Sequence, residues 1–391
     1  MCSFCRLSGR FRRPCKPNII QEIFNLAIIG LSVQSNLWIR CYKIMKLKKS
    51  QQAIDLQLKG DRKMKITKTL TAMAVALTAT TGSAAMALDE LVVGYFMEWP
   101  TANQYAQHNK LYDEALGMPV KWVSFDAGTA MSAAMASGDV HISYSQGVTP
   151  FLVATAAGQD LQVIDIAETY SDNNNCVVRS SLEIDADNAS ELKGKQVALP
   201  IGTAAHSDFL AQIAHFGLTE GDFKIVDMSP VDSAAAFGSG EFDMVCGWGG
   251  PLRRMKEHGN VLLSGPEKEA VSGVIYDITS TPSSFAEANA DVVTKFLKVT
   301  SDMNDMYAKN PEPMYEAISI EAGMDMEGTI AILSVMAFMS AETQLSDKWM
   351  GKWLAGDLKR QALALEAAGK IKALDDYNAL VNTSYLAAAA K

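Results

Sequence analysis

The chain has 391 residues and a formal net charge of −9, but the charge is divided unevenly. Residues 1–63 hold 13 Lys/Arg against three acids (Glu22, Asp55, Asp61), and Lys65 and Lys68 bring residues 1–87 to +12, so residues 88–391 carry −21. A body this acidic excludes nucleic acid as a partner, because neutralising phosphate needs a basic face, and its 304 residues suffice for two lobes with separate cores.

The basic segment 1–63 contains four of the six cysteines: Cys2, Cys5, Cys15 and Cys41. Cys2-x-x-Cys5 has no second CxxC or His pair to complete a zinc site. The apolar patch 19–38 is interrupted by Gln21, Glu22, Gln34, Ser35 and Asn36 and makes a poor membrane span. At Met64-Lys65-Ile66-Thr67-Lys68 the pattern changes to a short basic start, an apolar run from Leu70 to Thr80, and Ala85-Met86-Ala87. These are the three parts of an export signal, and the run is shorter than the roughly 20 residues a spanning helix needs. The expectation is that translation begins at Met64, that 1–63 is an over-extended reading of the gene, and that cleavage after Ala87 releases the exported protein. No Cys follows the small residues, so no lipid anchor is expected at this site.

From Leu88 onward the pattern alternates. Leu91–Phe96 reads as a buried strand, Thr101–Leu116 as helical, Val120–Phe125 as a strand, and Gly128–Ala136 as an Ala/Met-rich helix closed by Ser137-Gly138-Asp139. Val140–Tyr144 is a third strand, and Thr149–Gly158 a helix with Pro150 in its first turn. The order then repeats: strand Gln196–Pro200, helix Thr203–Phe216, strand Phe223–Met228, short helix Ser233–Phe237 closed by Ser239-Gly240-Glu241, and strand Asp243–Cys246 leading to Trp248. Such alternation predicts an α/β fold with mostly parallel sheets. The segments "DAGTAMSAAMASGDVHISYS" and "SPVDSAAAFGSGEFDMVCGW" share one pattern, which points to two similar lobes. Val274–Thr279 reads as a strand returning to the first lobe. Helices are then expected over Phe285–Ala308, Pro311–Ala322, Glu327–Met339, Asp347–Ala368 and Tyr377–Ala389. The expected division is 88–180 plus 275–391 for one lobe and 181–274 for the other.

Enzyme signatures fail one by one: the sequence has no HExxH, GxSxG, P-loop or cofactor motif, and its five histidines have no metal-ligand spacing. A Cys–His pair such as Cys246 and His206 suggests a nucleophile and base, and structural roles for both weigh more. Cys176 and Cys246 form either one disulfide, worth about 4 kcal/mol through chain entropy, or two buried free thiols. In open α/β sheets ligands sit beyond the carboxyl ends of strands, where helix N-termini suit anions. Two such places occur, Ser145-Gln146-Gly147-Val148-Thr149 and Gly202-Thr203-Ala204-Ala205-His206; the ordinary alternative is a pair of helix caps.

The stretches "VGYFMEWP", "FDAGTAMSAAMASGDVHISYSQGVTPF", "LKGKQVALPIGTAAHSDFLAQIAHFGL", "SGEFDMVCGWGGP" and "VIYDITSTPSSFAEANADVVTKFLK", in this order and spacing, resemble the taurine- and sulfonate-binding proteins of ABC importers. These lie within a wider nitrate/sulfonate/thiamine-precursor group, and the likeness spans about residues 91–386. It implies a type II periplasmic binding fold: a monomeric two-lobed clamp that closes over a small solute and delivers it to a membrane permease with its ATPase. It implies no cofactor, metal or catalysis. Ser145, Gln146, Gly147 and Thr149, with Thr203 and Ala204, match the loops around the sulfonate. Trp248 matches a cleft aromatic, Asp277 the acid that receives the amine, and Glu98 a first-loop acid. Two departures stand out: the spacing from Glu98 to Pro100 differs by one residue, and the Ser145 loop is one residue longer.

Taurine's physical needs agree with this set. Its sulfonate accepts from N–H and hydroxyl donors, and its ammonium needs a carboxylate and tolerates an aromatic face. Asp277, Glu98 and Trp248 supply these. No Arg lies in the candidate loops, and Arg253 and Arg254 read as surface charge. The alternatives are another small amine, zwitterion, alkanesulfonate or pyrimidine, with Trp99 and Trp248 stacking on a ring; a sulfonate- or sulfinate-processing enzyme on the same fold; and a sensor lobe.

Overall fold

The computed structural model describes residues 88–391. The basic segment 1–63 and the expected export signal 64–87 lie outside the described residues. Eleven strands form two sheets among the described residues. The first contains β1 (Leu91–Tyr95), β2 (Val120–Ser124), β3 (Ile142–Gly147), β4 (Leu161–Tyr170), β10 (Ile275–Pro282) and β11 (Met336–Ala337), in the order β11-β4-β10-β3-β1-β2. The second contains β5 (Asn174–Arg179), β6 (Gln196–Leu199), β7 (Lys224–Asp227), β8 (Met244–Trp248) and β9 (Gly259–Val261), in the order β7-β6-β8-β5-β9.

Both sheets are built to one plan. β1 runs parallel to β2 and β3, as β6 does to β7 and β8. The third strand of each set then pairs antiparallel with a strand that has just crossed from the other lobe: β10 against β3, β5 against β8. The repeated sequence pattern has a physical basis in this plan. The helices Gly128–Ser137 and Pro230–Ser239 end on Gly138 (φ 83°) and Gly240 (φ 95°), left-handed caps that favour glycine. The next residue closes each turn in the same way, Asp139 N–H donating to Ala134 O and Glu241 N–H to Ala236 O. The serine before each glycine donates to the carbonyl three residues back.

Four strands, β4, β5, β9 and β11, have no counterpart in the sequence reading. The run Leu161–Tyr170 is almost wholly buried yet contains Asp165 and Glu168, and β5 opens Asn174-Asn175, so neither shows clean apolar periodicity. The chain crosses between sheets at 171–173, so residues 174–180, expected in the first lobe, begin the second. The helix expected over Glu327–Met339 stops at Leu333, and Met336–Ala337 pairs with β4 as an edge strand. No helix among the described residues is long and apolar enough to cross a membrane.

Strand alternation distributes the second lobe's core over both faces of its sheet. Met244 and Cys246 face Phe209 and Ile213 on one side, while Val245 faces Phe237 and Leu252 on the other. Cys176 lies directly opposite Cys246 in the β5–β8 register, and the two form a disulfide. It ties the crossing strand to the centre of its sheet across a separation of 70 residues. Reduction with dithiothreitol should therefore lower unfolding stability by up to about 4 kcal/mol, read as a fall in the urea midpoint. An unchanged midpoint after verified reduction would remove the bridge as a stabilising element.

Candidate functional site

The carboxyl ends of β3, β6 and β8 converge on a cleft between the sheets. A helix begins beyond each: Val148–Ala156, Ala204–His215 and Gly249–Lys256. The cleft is narrow, and its lining includes Phe96, Trp99, Gly147, Tyr170, Asn174, Thr203, Ala204, Trp248 and Asp277. Gly147 is needed here because a Cβ would stand 3.0 Å from that of Ala204, so glycine lets the first two helix N-termini approach. A Cβ on Gly249 would run into the Glu98 carbonyl from the other lobe.

The Ser145 loop contains a β-bulge. Ser280 pairs with Ser143 and Ile278 with Gln146, so two residues of β3 face one of β10. Ser145 takes a left-handed φ of 57°, unusual for a residue other than glycine. Its Oγ lies within hydrogen-bonding reach of both Glu168 Oε1 and Asp277 Oδ2, the latter at 3.4 Å.

These two carboxylates dominate the electrostatics. Asp277 is directly opposite Glu168 in the antiparallel register of β10 and β4, where like charges repel. Trp99 Nε1–H donates to Glu168 Oε1 (3.0 Å) and to Ser145 Oγ (2.8 Å), and Tyr170 O–H donates to Asp277 Oδ1 (3.0 Å). Glu168 Oε2 is buried without a partner. Neither carboxylate has a Lys or Arg partner among the described residues. Burial lifts Asp277 to about 7, and burial with the Asp277 charge lifts Glu168 well above the usual carboxylate range. Both shifts favour the protonated acids, and a cation from the cleft would favour the ionised ones.

The structure brings together most of the residues singled out in the sequence. Gly147, Thr203, Ala204, Trp248 and Asp277 line the cleft, and Ser145 stands behind them against the acids. Gln146 turns away: its amide donates to Gly128 O (2.7 Å) and Ser132 Oγ (2.8 Å), so it pins a helix onto β3. Thr149 Oγ1 meets Ser207 Oγ across the lobes at 2.7 Å. Glu98 is not at the acid cluster. An Arg254 guanidinium from the other lobe claims its carboxylate, and its main-chain oxygen accepts from Gly250 N–H. Arg254, expected as plain surface charge, is thus a cross-lobe contact.

Sequence reasoning missed Glu168, Tyr170 and Asn174. The available signal was an acid within an otherwise apolar β run, a pattern that demands a partner or a purpose. Asn174 has a specific place in the duplicated plan. Asp277 faces Gly147, the residue before one cleft helix, and Asn174 faces Trp248, the residue before another. Each is delivered by a strand just after a crossing. The Asn174 carbonyl accepts from Lys268, a buried lysine whose charge is matched by Asp208 at 2.6 Å.

The Cys246–His206 pair has no catalytic form. Cys246 is in the disulfide, and His206 Nδ1 accepts from Gly202 N–H, which leaves Nε2–H to donate to Glu220 (3.1 Å).

Residues 102–314 match the NMT1/THI5 like family. The taurine-binding periplasmic protein of Escherichia coli (strain K12) is 25% identical over 286 residues, 72% of this chain and 88% of that protein. The alkanesulfonate-binding protein SsuA from Xanthomonas axonopodis pv. citri, solved bound to MOPS, superposes with a TM-score of 0.62 at 19% identity, over 76% of this chain and 99% of that one. The periplasmic nitrate-binding protein NrtA from Synechocystis PCC 6803 superposes with a TM-score of 0.63 at 13% identity, over 78% and 89%. The structural likenesses establish the fold, and all three named proteins are binding proteins rather than enzymes. With more than half of its residues matched, this chain belongs to the NMT1/THI5-like family.

Proposed function

We propose that the protein is the periplasmic solute-binding component of an ABC importer, a monomeric clamp that captures taurine or a closely related aminosulfonate and passes it to a permease and ATPase. The observation that carries this reading is the buried Glu168–Asp277 pair, which has no protein cation and lies in one cleft with two helix N-termini. The solute's ammonium would sit on Asp277 with the Trp248 and Phe96 rings nearby. Its sulfonate would accept from the first N–H groups of helices Val148–Ala156 and Ala204–His215, which have no carbonyl partners within their helices. Ser145 acts by holding the two acids, and Thr203 and Ala204 by presenting the helix end. The names of the relatives favour the same solute class, and the Cys176–Cys246 disulfide suits an oxidising compartment. A plain alkanesulfonate or nitrate would leave the acids uncompensated. A different small amine or zwitterion is the second reading, favoured by the same acid pair.

Calorimetry on ligand-stripped protein with taurine, ethanesulfonate and glycine betaine separates these readings. Taurine should bind tightly and the other two weakly. Equal binding of ethanesulfonate would make the acids structural, and preference for betaine would move the assignment to amines. Asp277→Asn should weaken taurine by roughly 2–4 kcal/mol, the scale for removing one partner of a buried charge pair. Unchanged affinity would remove Asp277 from the site.

A pH dependence follows with a definite sign. With Asp277 lifted to about 7 and Glu168 also raised, the ligand-free native state holds protons that the unfolded chain has lost, so its stability should fall as pH rises from about 4 through 7. An ammonium favours the ionised pair. Taurine binding near neutral pH should therefore release protons, measured as a buffer-dependent binding enthalpy, and its affinity should rise as pH increases through about 7. Proton uptake on binding would contradict this placement of the amine.

A further inference from the structure

A buried lysine lies behind the second lobe's share of the cleft. Lys268 belongs to the helix Gly265–Ser272 and is fully buried. Its Nζ meets Asp208 Oδ2 at 2.6 Å and donates to the main-chain oxygen of Asn174. Three elements converge on this one ammonium. Asn174 opens β5 just after the first crossing, and it lines the cleft. Asp208 stands one turn beyond Ala204, in the helix whose first residue lines the cleft. The lysine's own helix ends at Ser272, where the chain departs on its second crossing to β10.

The sheet explains why a donor is needed there. β9 pairs with β5 only at Val177–Arg179, so the start of β5 has no strand neighbour on that side among the described residues. Lys268 supplies a donor to this uncovered end, and Asn175 Nδ2 donates to Leu263 O (2.9 Å), just ahead of the same helix. Asn174 Nδ2 also reaches Asp208 Oδ2 at 3.4 Å, so the ion pair holds this residue by main chain and side chain together. Such a pair is a poor source of stability. Both ions leave water, and replacing a whole buried pair by neutral groups of similar volume often costs nothing. What it supplies is geometry. An ammonium aims up to three N–H groups, here at two elements at once, which an apolar side chain cannot do.

We propose that Lys268 is a positioning residue for the cleft, acting through Asn174 and Asp208. It fixes the start of β5, the cleft helix and the helix before the second crossing as one rigid body, so the solute meets a preformed half-site. This rests on the reading of the cleft as the solute site and is independent of which solute binds there.

The test compares the wild type with the double variant Lys268→Met/Asp208→Asn, which removes both charges and leaves no ion unpaired. Urea unfolding, amide hydrogen exchange and calorimetric titration with taurine are measured on both proteins. The urea midpoint should stay the same or rise. Exchange at residues 173–178 and 203–212 should quicken by about tenfold, while residues 161–170 of the other lobe keep their protection. Taurine affinity should fall by about tenfold. A double variant that fails to fold, or a lowered midpoint with exchange faster throughout the chain, would make the pair a stability element and overturn the proposal. Unchanged exchange at the two segments would also overturn it, as would faster exchange with unchanged taurine affinity. If taurine fails to bind the wild type, the aminosulfonate reading falls, and the exchange pattern alone decides the role of Lys268.

Discussion

Two carboxylates facing each other across an antiparallel ladder, with no cation to match them, are the constraint around which the first lobe is arranged. Glu168 and Asp277 are fixed by the β4–β10 register, so their separation is not free to relax as it would be on a loop. The fold supplies every neutral donor it can. Trp99 comes from the segment after β1, Ser145 from a bulge in β3, and Tyr170 from the end of β4. None of these removes a charge, and one oxygen of Glu168 still has no partner. Such a cluster costs stability in the ligand-free protein, and a cationic group placed there would gain ion pairing in a place already desolvated.

The duplicated plan places an acid and helix N-termini from both lobes around one cleft. Each lobe contributes strand ends followed by helix N-termini, which favour negative charge. Each also receives a crossing strand, and these strands carry the asymmetry. β10 brings Asp277 to the end of β3, while β5 brings Asn174 to the equivalent place at the end of β8. An acid at both positions would repel a sulfonate. An acid at one and an amide at the other leaves a cation site on the first lobe and neutral donors and acceptors on the second. Cys176, two residues after Asn174, locks that crossing strand to β8, so the disulfide and the cleft amide share one rigid element.

Much of this was legible in the sequence, for identifiable reasons. The Ser-Gly-acid turns could be matched because left-handed caps restrict residue type strongly, and the two sites after β3 and β6 could be named because small residues are needed where helix ends approach a ligand. Asp277 and Trp248 were placed by resemblance. Glu168 was hidden because a buried acid in a strand breaks the apolar pattern by which strands are found, so the strand and its buried acid were missed together. Glu98 misled for the converse reason. It has the right residue type in the right segment, but whether Arg254 reaches it depends on how the lobes meet, which no local pattern encodes.

The contacts between the lobes bear on what holds the clamp shut. Glu98–Arg254, Lys370–Glu220 and the Thr149–Ser207 hydrogen bond all bridge the two lobes. The ion pairs are partly exposed and screened, each worth about 0–1 kcal/mol. Contacts of that size would bias an open–closed equilibrium without fixing it. A bound zwitterion would favour closure, because only then would Asp277 of the first lobe and helix Ala204–His215 of the second act on the same molecule. Differential affinity of this kind is what a ligand needs to shift a population, so the uncompensated acids and the weak latches are two parts of one switch.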